Sequence, residues 1–449
     1  MTIHDPLAAA YLDRLAARGV DTDQLIAAAA ASDLLRASYR GRYLARPAFL
    51  AHPEWLRLST DLVNLRTALT SLPDRLFDGD RAAFARAVGM TPAQVTAVVR
   101  GTAGPPTRLA RADLYRDHTG FRLLEINVTS ALGGLDSSEL SRALLHHPVL
   151  AEFVAEHRLT YLDVVEGLVD TLRSECAIPA GMRPLVALAD WPTSFVDLEP
   201  QLRYGAALLN AFNLEAVPCH VGQLSAHDGR LWLAGRPVDV VYRLFMIEDL
   251  LDEDGPDLLE PILAAAERGE VALFTAMDAE LYGSKGALAL LSDEAHRHVY
   301  DPAELESLDR ILPWTRMVRR GAVTVDGVQV ELLEYALAHR EELIFKPTLL
   351  HGGIGILPGW LIGPDEWSTR LTSALDGPYL LQRRVRPAAE PFPGPDGQPA
   401  HWYLNWGIFL TANGYGGGQI KGLPDADAGV VSIGTGAAFT TVFHQSEPW

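Results

Sequence analysis

Through the first hundred residues apolar positions recur every three or four places, which puts them on one side of a helix and predicts helices over segments such as 23–31, 54–72 and 81–88. Thr91 followed by Pro92 reads as the N-cap and first turn of another. Glycines and prolines between 101 and 106 then punctuate the chain, and the period changes. Apolar residues now alternate with polar ones, at Leu114, Phe121, Leu123 and Ile126, around the polar turn Asp117, His118, Thr119 and Gly120, which predicts a β-hairpin. Helical spacing returns from about 136 to 180. Beyond it, β-branched-rich runs at 184–190, 214–220, 238–244 and 271–275 alternate with helical patterns such as 201–212 and 257–268, predicting a parallel sheet covered on both faces.

Composition narrows the class without naming a chemistry. The 449 residues, 48% of them hydrophobic, suffice for a large core divided into several lobes. A formal net charge of −19 argues against nucleic acid or an anionic membrane as partner, although a local basic pocket remains compatible with it. Cys176 and Cys219 are too few for a disulfide framework and match no zinc spacing. The first residues read as an amphipathic helix with early acidic positions, unlike a signal or transit peptide, and no apolar run has the length of a membrane span, so a cytoplasmic enzyme is expected.

The hairpin carries the chemistry. Residues i and i+2 of a strand share a face, so Arg111 points with Asp113 and Glu125 with Asn127, and pairing the strands gathers all four. Two carboxylates, an amide oxygen and a guanidinium suit phosphates bridged by magnesium, which prefers oxygen ligands. A solvated polar face of an edge hairpin fits the same spacing. The 181–280 region also invites comparison with a dinucleotide-binding domain, but Pro192 stands where the tight glycine turn after the first strand belongs.

Further motifs follow in order. A small-residue turn, Thr129 to Gly134, succeeds the hairpin; Gly283, Ser284 and Lys285 precede a strand ending in Lys346 and Pro347; glycines 352, 353 and 355 form a turn; Tyr379 to Val385 reads as a strand; and glycine-rich runs close the chain at 407–421 and 434–439. Over about 107–443 this series resembles the circularly permuted ATP-grasp ligases typified by glutathionylspermidine synthetase and eukaryotic-type glutathione synthetase. The resemblance implies an α/β (α+β) chain with an ATP-grasp-like fold in permuted lobe order. It would comprise an N-terminal helical region (1–105), the metal-binding hairpin and helices of the ATP-grasp body (106–180), an inserted α/β acceptor-substrate lobe (181–280) and the nucleotide-binding lobes (281–449).

It further implies ATP and Mg2+ as cofactors and a small-molecule carboxylic acid and amine, such as an amino acid, peptide or polyamine, as substrates. A homodimer is also an expectation. On this reading Asp113, Glu125 and Asn127 hold the metal, and Arg111 is catalytic. Lys285, Lys346, Gly352, Gly353, Gln382, Arg384, Val385 and Lys421 hold the nucleotide, while Ser130 and Arg243 meet substrate. The resembled ligases carry a glutamate in the glycine loop where this chain has Leu350 and His351, and Gln382, Arg383 and Arg384 replace an acidic hinge.

The expected reaction is amide formation through an acyl phosphate, since a carboxylate becomes electrophilic once phosphoryl transfer supplies a leaving group. A nucleotide-binding scaffold without catalysis, or a phosphotransferase that stops at phosphorylation, are the alternative classes. Each lysine taken alone also fits a side chain lying over apolar neighbours. His146, His147, His296 and His298 show no metal spacing, the acidic run 248–257 reads as a solvated loop, and Trp402, Trp406 and Trp449 read as core or interface residues.

Overall fold

The alternating segment folds as the antiparallel strands Ala110–Asp117 and Gly120–Asn127, joined by a turn in which the Thr119 N–H donates to Asp117 Oδ1 at 2.7 Å. The computed structural model describes the chain apart from residues 1, 2, 4, 103, 253, 395–397, 426, 428, 429, 432, 433, 448 and 449. Trp449 therefore lies outside the described residues.

The hairpin ends an eight-stranded sheet whose main path continues through Pro399–Thr411, Gly414–Leu423 and Ala438–Gln445 to Ala48–Leu50. One face of these strands is apolar. Ala112, Leu114, Leu123, Ile126, Trp406, Ile408 and Ile420 pack there with Leu58, Leu62, Leu65 and Leu69 of helix His52–Thr70. Full burial of each leucine or isoleucine contributes about 1.5–3 kcal/mol, enough for this face to fix which side of the sheet the polar residues occupy.

The expected strands of the inserted lobe form a four-stranded parallel sheet in the order Ala272–Phe274, Val240–Arg243, Leu185–Asp190, Glu215–His220. Helix Pro192–Asn210 follows Asp190 without a glycine turn, with Trp191 as its N-cap. A three-stranded antiparallel meander over 224–237 was not expected. A third sheet, antiparallel, runs Thr315–Met317, Tyr379–Arg383, Leu343–Pro347, Leu357–Pro358.

Helices Thr22–Ala31, His52–Thr70 and Arg81–Ala87 occupy the periodic N-terminal segments, and Pro92–Arg100 starts with a capping box from Thr91 and Gln94. Sheet pairing crosses two of the expected boundaries. The N-terminal layer is not purely helical, because Ala48–Leu50 pairs in parallel with Ala438–Gln445. Residues 281–449 do not stand apart from the hairpin: Lys346 and Gln382 lie in the third sheet, whereas the strands after 399 belong to the hairpin's own sheet. Among the described residues no helix is long and apolar enough to cross a membrane.

A buried ionic group ties the N-terminal layer to the hairpin. Arg116 meets Glu54 at 2.7 Å, Asp5 at 3.6 Å and Glu390 at 3.7 Å, and Arg46 is wholly buried beside them. The three carboxylates outnumber the two guanidiniums. Burial, against the pull of Arg116 and Arg46, pushes the Glu390 carboxyl up to about 7. Between its ordinary value of 4.5 and about 7 the folded chain retains a proton that the unfolded chain releases, so stability falls as pH rises across that window. Glu390→Gln should flatten this fall. Urea midpoints at about pH 5 and about pH 7.5 measure it, and an unchanged difference between them would move the effect to another group.

Candidate active site

The polar face of the hairpin follows from its register. Arg111 pairs opposite Asn127 and Asp113 opposite Glu125, and the ladder shifts between Asp113 and Leu114. The shift leaves Leu124 as an extra residue, a bulge that removes its carbonyl from the ladder. That carbonyl accepts from Lys346 Nζ at 3.0 Å, and Gln382 Oε1 accepts from the same ammonium at 2.7 Å. The bulge thus couples the hairpin to the third sheet.

Arg111 lies along the sheet rather than away from it. Its Nε donates to Asp113 Oδ1 at 2.8 Å and one terminal nitrogen to Gly133 O at 2.9 Å. Gly407 makes this course possible: a Cβ there would sit 2.9 Å from Gln419 O and 3.2 Å from Arg111 Cδ. The neighbouring strands add Asn405, Gln419 and Lys421 to the same face.

This face floors a cavity of 1420 Å³, closed by the third sheet on one side and the parallel lobe on another. That is larger than the roughly 300–1,000 Å³ of most small-molecule sites and leaves room for a nucleotide together with further substrates. Two carboxylates, Asp113 and Glu125, meet four cations, Arg111, Lys285, Lys346 and Lys421. The local excess is positive in a strongly acidic chain. Burial alone would raise the Glu125 carboxyl, but Lys285, 3.1 Å away, and Lys346 hold it well below the usual range. Burial lowers Lys346 to about 8, partly opposed by Glu125, and burial also lowers Lys421.

The remaining expected residues divide. Gly352, Gly353, Gln382, Arg384 and Val385 line the cavity; Arg384 stacks 3.8 Å over the Trp360 ring and pairs with Asp427. Gly352 and Gly353 have φ of 65° and 81°, a left-handed turn that glycine adopts freely. Lys285 stands behind Glu125 and also donates to Leu350 O at 2.9 Å. Ser130 lines the cavity, but its hydroxyl is spent on Arg243 O and Thr275. Arg243 corrects the sequence expectation. It is fully buried, pairs with Glu280 and donates to Thr275 O at 2.6 Å, so it is not among the residues lining the cavity.

Sequence reasoning passed over other residues. Glu248, in the run expected to be solvated, accepts from His351 at 3.0 Å, and both line the cavity. The run is instead anchored by buried Ile247 and Leu250. Tyr39, Asp136, Asp190 and Gln419 also face the cavity, brought there by elements far apart in the chain.

The donor set fits magnesium. Asp113 and Glu125 present oxygen, and Asn127 ends in a buried amide nitrogen without a hydrogen-bond partner, a place its oxygen takes if the amide turns over. Among the described residues no group of three or more His, Cys, Asp or Glu is gathered for a metal, so phosphate oxygens and water would complete the shell.

No protein-family model matches the chain, and no curated protein matches it. Among solved structures it is similar to a glutathione synthetase-like effector from Globodera pallida in its apo form, at 13% identity and TM-score 0.55 over 98% of both chains. The two share a fold end to end. A protein assigned as a gamma-glutamylcysteine synthetase from Methylobacillus flagellatus KT aligns over 86% of this chain and 87% of its own at 12% identity, with a TM-score of only 0.43.

Because Lys346 titrates near 8, its charge is available to an anion at neutral pH and fades above it. ATP affinity, measured by calorimetry relative to adenosine, should therefore fall as pH rises past about 8, and Lys346→Met should weaken ATP roughly tenfold or more while largely sparing adenosine. Equal losses for both ligands would assign the lysine to the fold alone.

Proposed function

We propose that this chain is an ATP-dependent carboxylate–amine ligase that makes an amide or peptide bond and releases ADP and phosphate. The observation that carries the reading is the pairing of Asp113 with Glu125 on a cavity floor lined by Arg111, Lys346 and Lys421, with Lys285 paired to Glu125 from behind. With it go an ATP-grasp-like fold in permuted lobe order and a cytoplasmic setting.

The substrate carboxylate oxygen attacks the γ-phosphorus of ATP, the bond to the β,γ-bridging oxygen breaks, and ADP leaves. Amine nitrogen then attacks the acyl carbon, the bond to the phosphate oxygen breaks, and the nitrogen loses a proton. Asp113, Glu125 and Asn127 would hold magnesium, which would supply neutralisation of the triphosphate charge. Lys346, Lys421 and the Gly352–Gly353 backbone hold phosphate oxygens. Arg111, poised against Asp113, turns toward the transferred phosphoryl group and the oxyanion that develops at the acyl carbon.

A nucleotide-binding scaffold is the second reading, favoured by His351 standing where the resembled ligases carry glutamate. Glu248, hydrogen-bonded to His351, offers a carboxylate to the same place. ADP and phosphate released only when acid and amine are both present support the ligase. ATP binding without turnover supports the scaffold, and an accumulating phosphorylated acid the phosphotransferase.

Glu125→Gln should abolish magnesium-dependent ADP release while leaving the fold intact, because it removes a ligand's charge at nearly constant volume. Retention of activity within about threefold, less than about 1 kcal/mol of barrier, contradicts the metal assignment. The glycine turn should act as a lid. His351 and Glu248 anchor its start, Gly353 lies against Val430, and the next residue, Ile354, is exposed. Amide exchange over 348–357 should slow on adding ATP and magnesium, since phosphate bonds offset the entropy of ordering three glycines. Exchange already slow without nucleotide, and unchanged by it, would mark a rigid turn.

A further inference from the structure

The cavity is divided by charge. Its cations Arg111, Lys346 and Lys421 stand on the hairpin sheet and the third sheet, and Arg384 directly follows a strand of the third. The other wall comprises one face of helix Pro192–Asn210, the ends of the parallel strands, helix Asp33–Tyr39 and the turn over 129–136, which adjoins the floor where Arg111 donates to Gly133 O; none of the wall's own described lining residues is Lys or Arg. The cation that sequence order would place there, Arg243, is withdrawn into its bond with Glu280. The wall is largely apolar, with Leu34, Leu132, Leu198 and Leu202 facing inward.

One carboxylate in it is built in. Asp136 is only 9% exposed, and its Oδ1 accepts from the Tyr39 hydroxyl at 2.6 Å, which in turn accepts from Gln419 Nε2 at 3.3 Å. Although Asp136 precedes helix Ser137–Leu145, its side chain makes no capping bond. Its other oxygen has no hydrogen-bond partner among the described residues and is open to the cavity. Tyr204, on the cavity face of helix Pro192–Asn210, lies near the charges of Glu139 and Asp136, opposed by Arg142. On the same helix Gly205 lines the cavity and has nothing within 4 Å of a Cβ position, so the helix face leaves open space there.

A buried carboxylate with a free oxygen, flanked by tyrosine rings and bordered by leucines, is complementary to an ammonium on an apolar stem. We infer that Asp136, held by Tyr39, is the acceptor-amine subsite, and that it takes a primary amine with an apolar stem and no free carboxylate. A free carboxylate placed beside Asp136 would meet a like charge in a partly desolvated setting. The inference rests on the ligase reading for its place in the reaction, but not for its binding.

Ligand-observed NMR titration of the full chain without nucleotide tests it, with n-hexylamine, hexanoate and ethylamine as probes. Hexylamine should bind at least about fivefold more tightly than hexanoate, and Asp136→Asn should erase that preference while ATP affinity stays within about twofold. Leu202→Ala should weaken hexylamine more than ethylamine. If Asp136→Asn does not fold, Gly205→Leu, which fills the space from the helix side, should exclude hexylamine and leave ATP binding intact. Absence of hexylamine binding, or hexylamine binding that survives either substitution undiminished, overturns the subsite. Loss of the ligase reading would show separately, as absence of ATP-dependent turnover with the amine preference intact.

Discussion

The bulged pairing of the two hairpin strands is the constraint on which the site depends. One residue of slip would turn Asp113 and Glu125 into the apolar face and bring Leu114 and Ile126 into the cavity. The core prevents that slip, because Ala112, Leu114, Leu123 and Ile126 are buried with Trp406, Ile408 and Ile420 behind the sheet. The bulge at Leu124 then supplies what a regular ladder could not, a carbonyl directed at Lys346 of another sheet. Packing on one face and ligand chemistry on the other are set by the same register.

Without a ligand the site's charges satisfy one another. Arg111 is closed onto Asp113, Lys285 onto Glu125, and Lys346 is shared between a carbonyl and an amide oxygen. Such pairs keep buried charges from standing alone, where each would cost several kcal/mol. They also mean that a metal-bridged triphosphate, as proposed, would exchange partners rather than fill empty space, the cations turning from Asp113 and Glu125 to phosphate oxygens. The residual positive excess favours that exchange.

Much of this was legible in the sequence because it is local. Strand alternation fixed the shared faces of Arg111 with Asp113 and of Glu125 with Asn127, and the β-branched runs of the inserted lobe marked its four parallel strands. Features that depend on distant partners were not legible. Ala48–Leu50 is too short to show a period and becomes a strand only by pairing with Ala438–Gln445. Arg243 ends a strand where ligands commonly bind, yet Glu280 captures it. The acidic run looked like a solvated loop because nothing in its own sequence reveals the imidazole of His351, and the bond between Tyr39 and Asp136 joins residues 97 apart. A glycine within the closing strands, Gly407, was visible, but its purpose as the bed for Arg111 required the sheet.

The central claim is that the hairpin carboxylates hold a metal-bridged triphosphate. A crystal structure with magnesium and a non-hydrolysable ATP analogue tests it most directly. The account predicts magnesium on oxygens of Asp113 and Glu125, the terminal phosphate near Lys346, and Arg111 released from Asp113. A nucleotide bound elsewhere, or phosphates in the cavity with Asp113 still closed on Arg111 and Glu125 on Lys285, would contradict it.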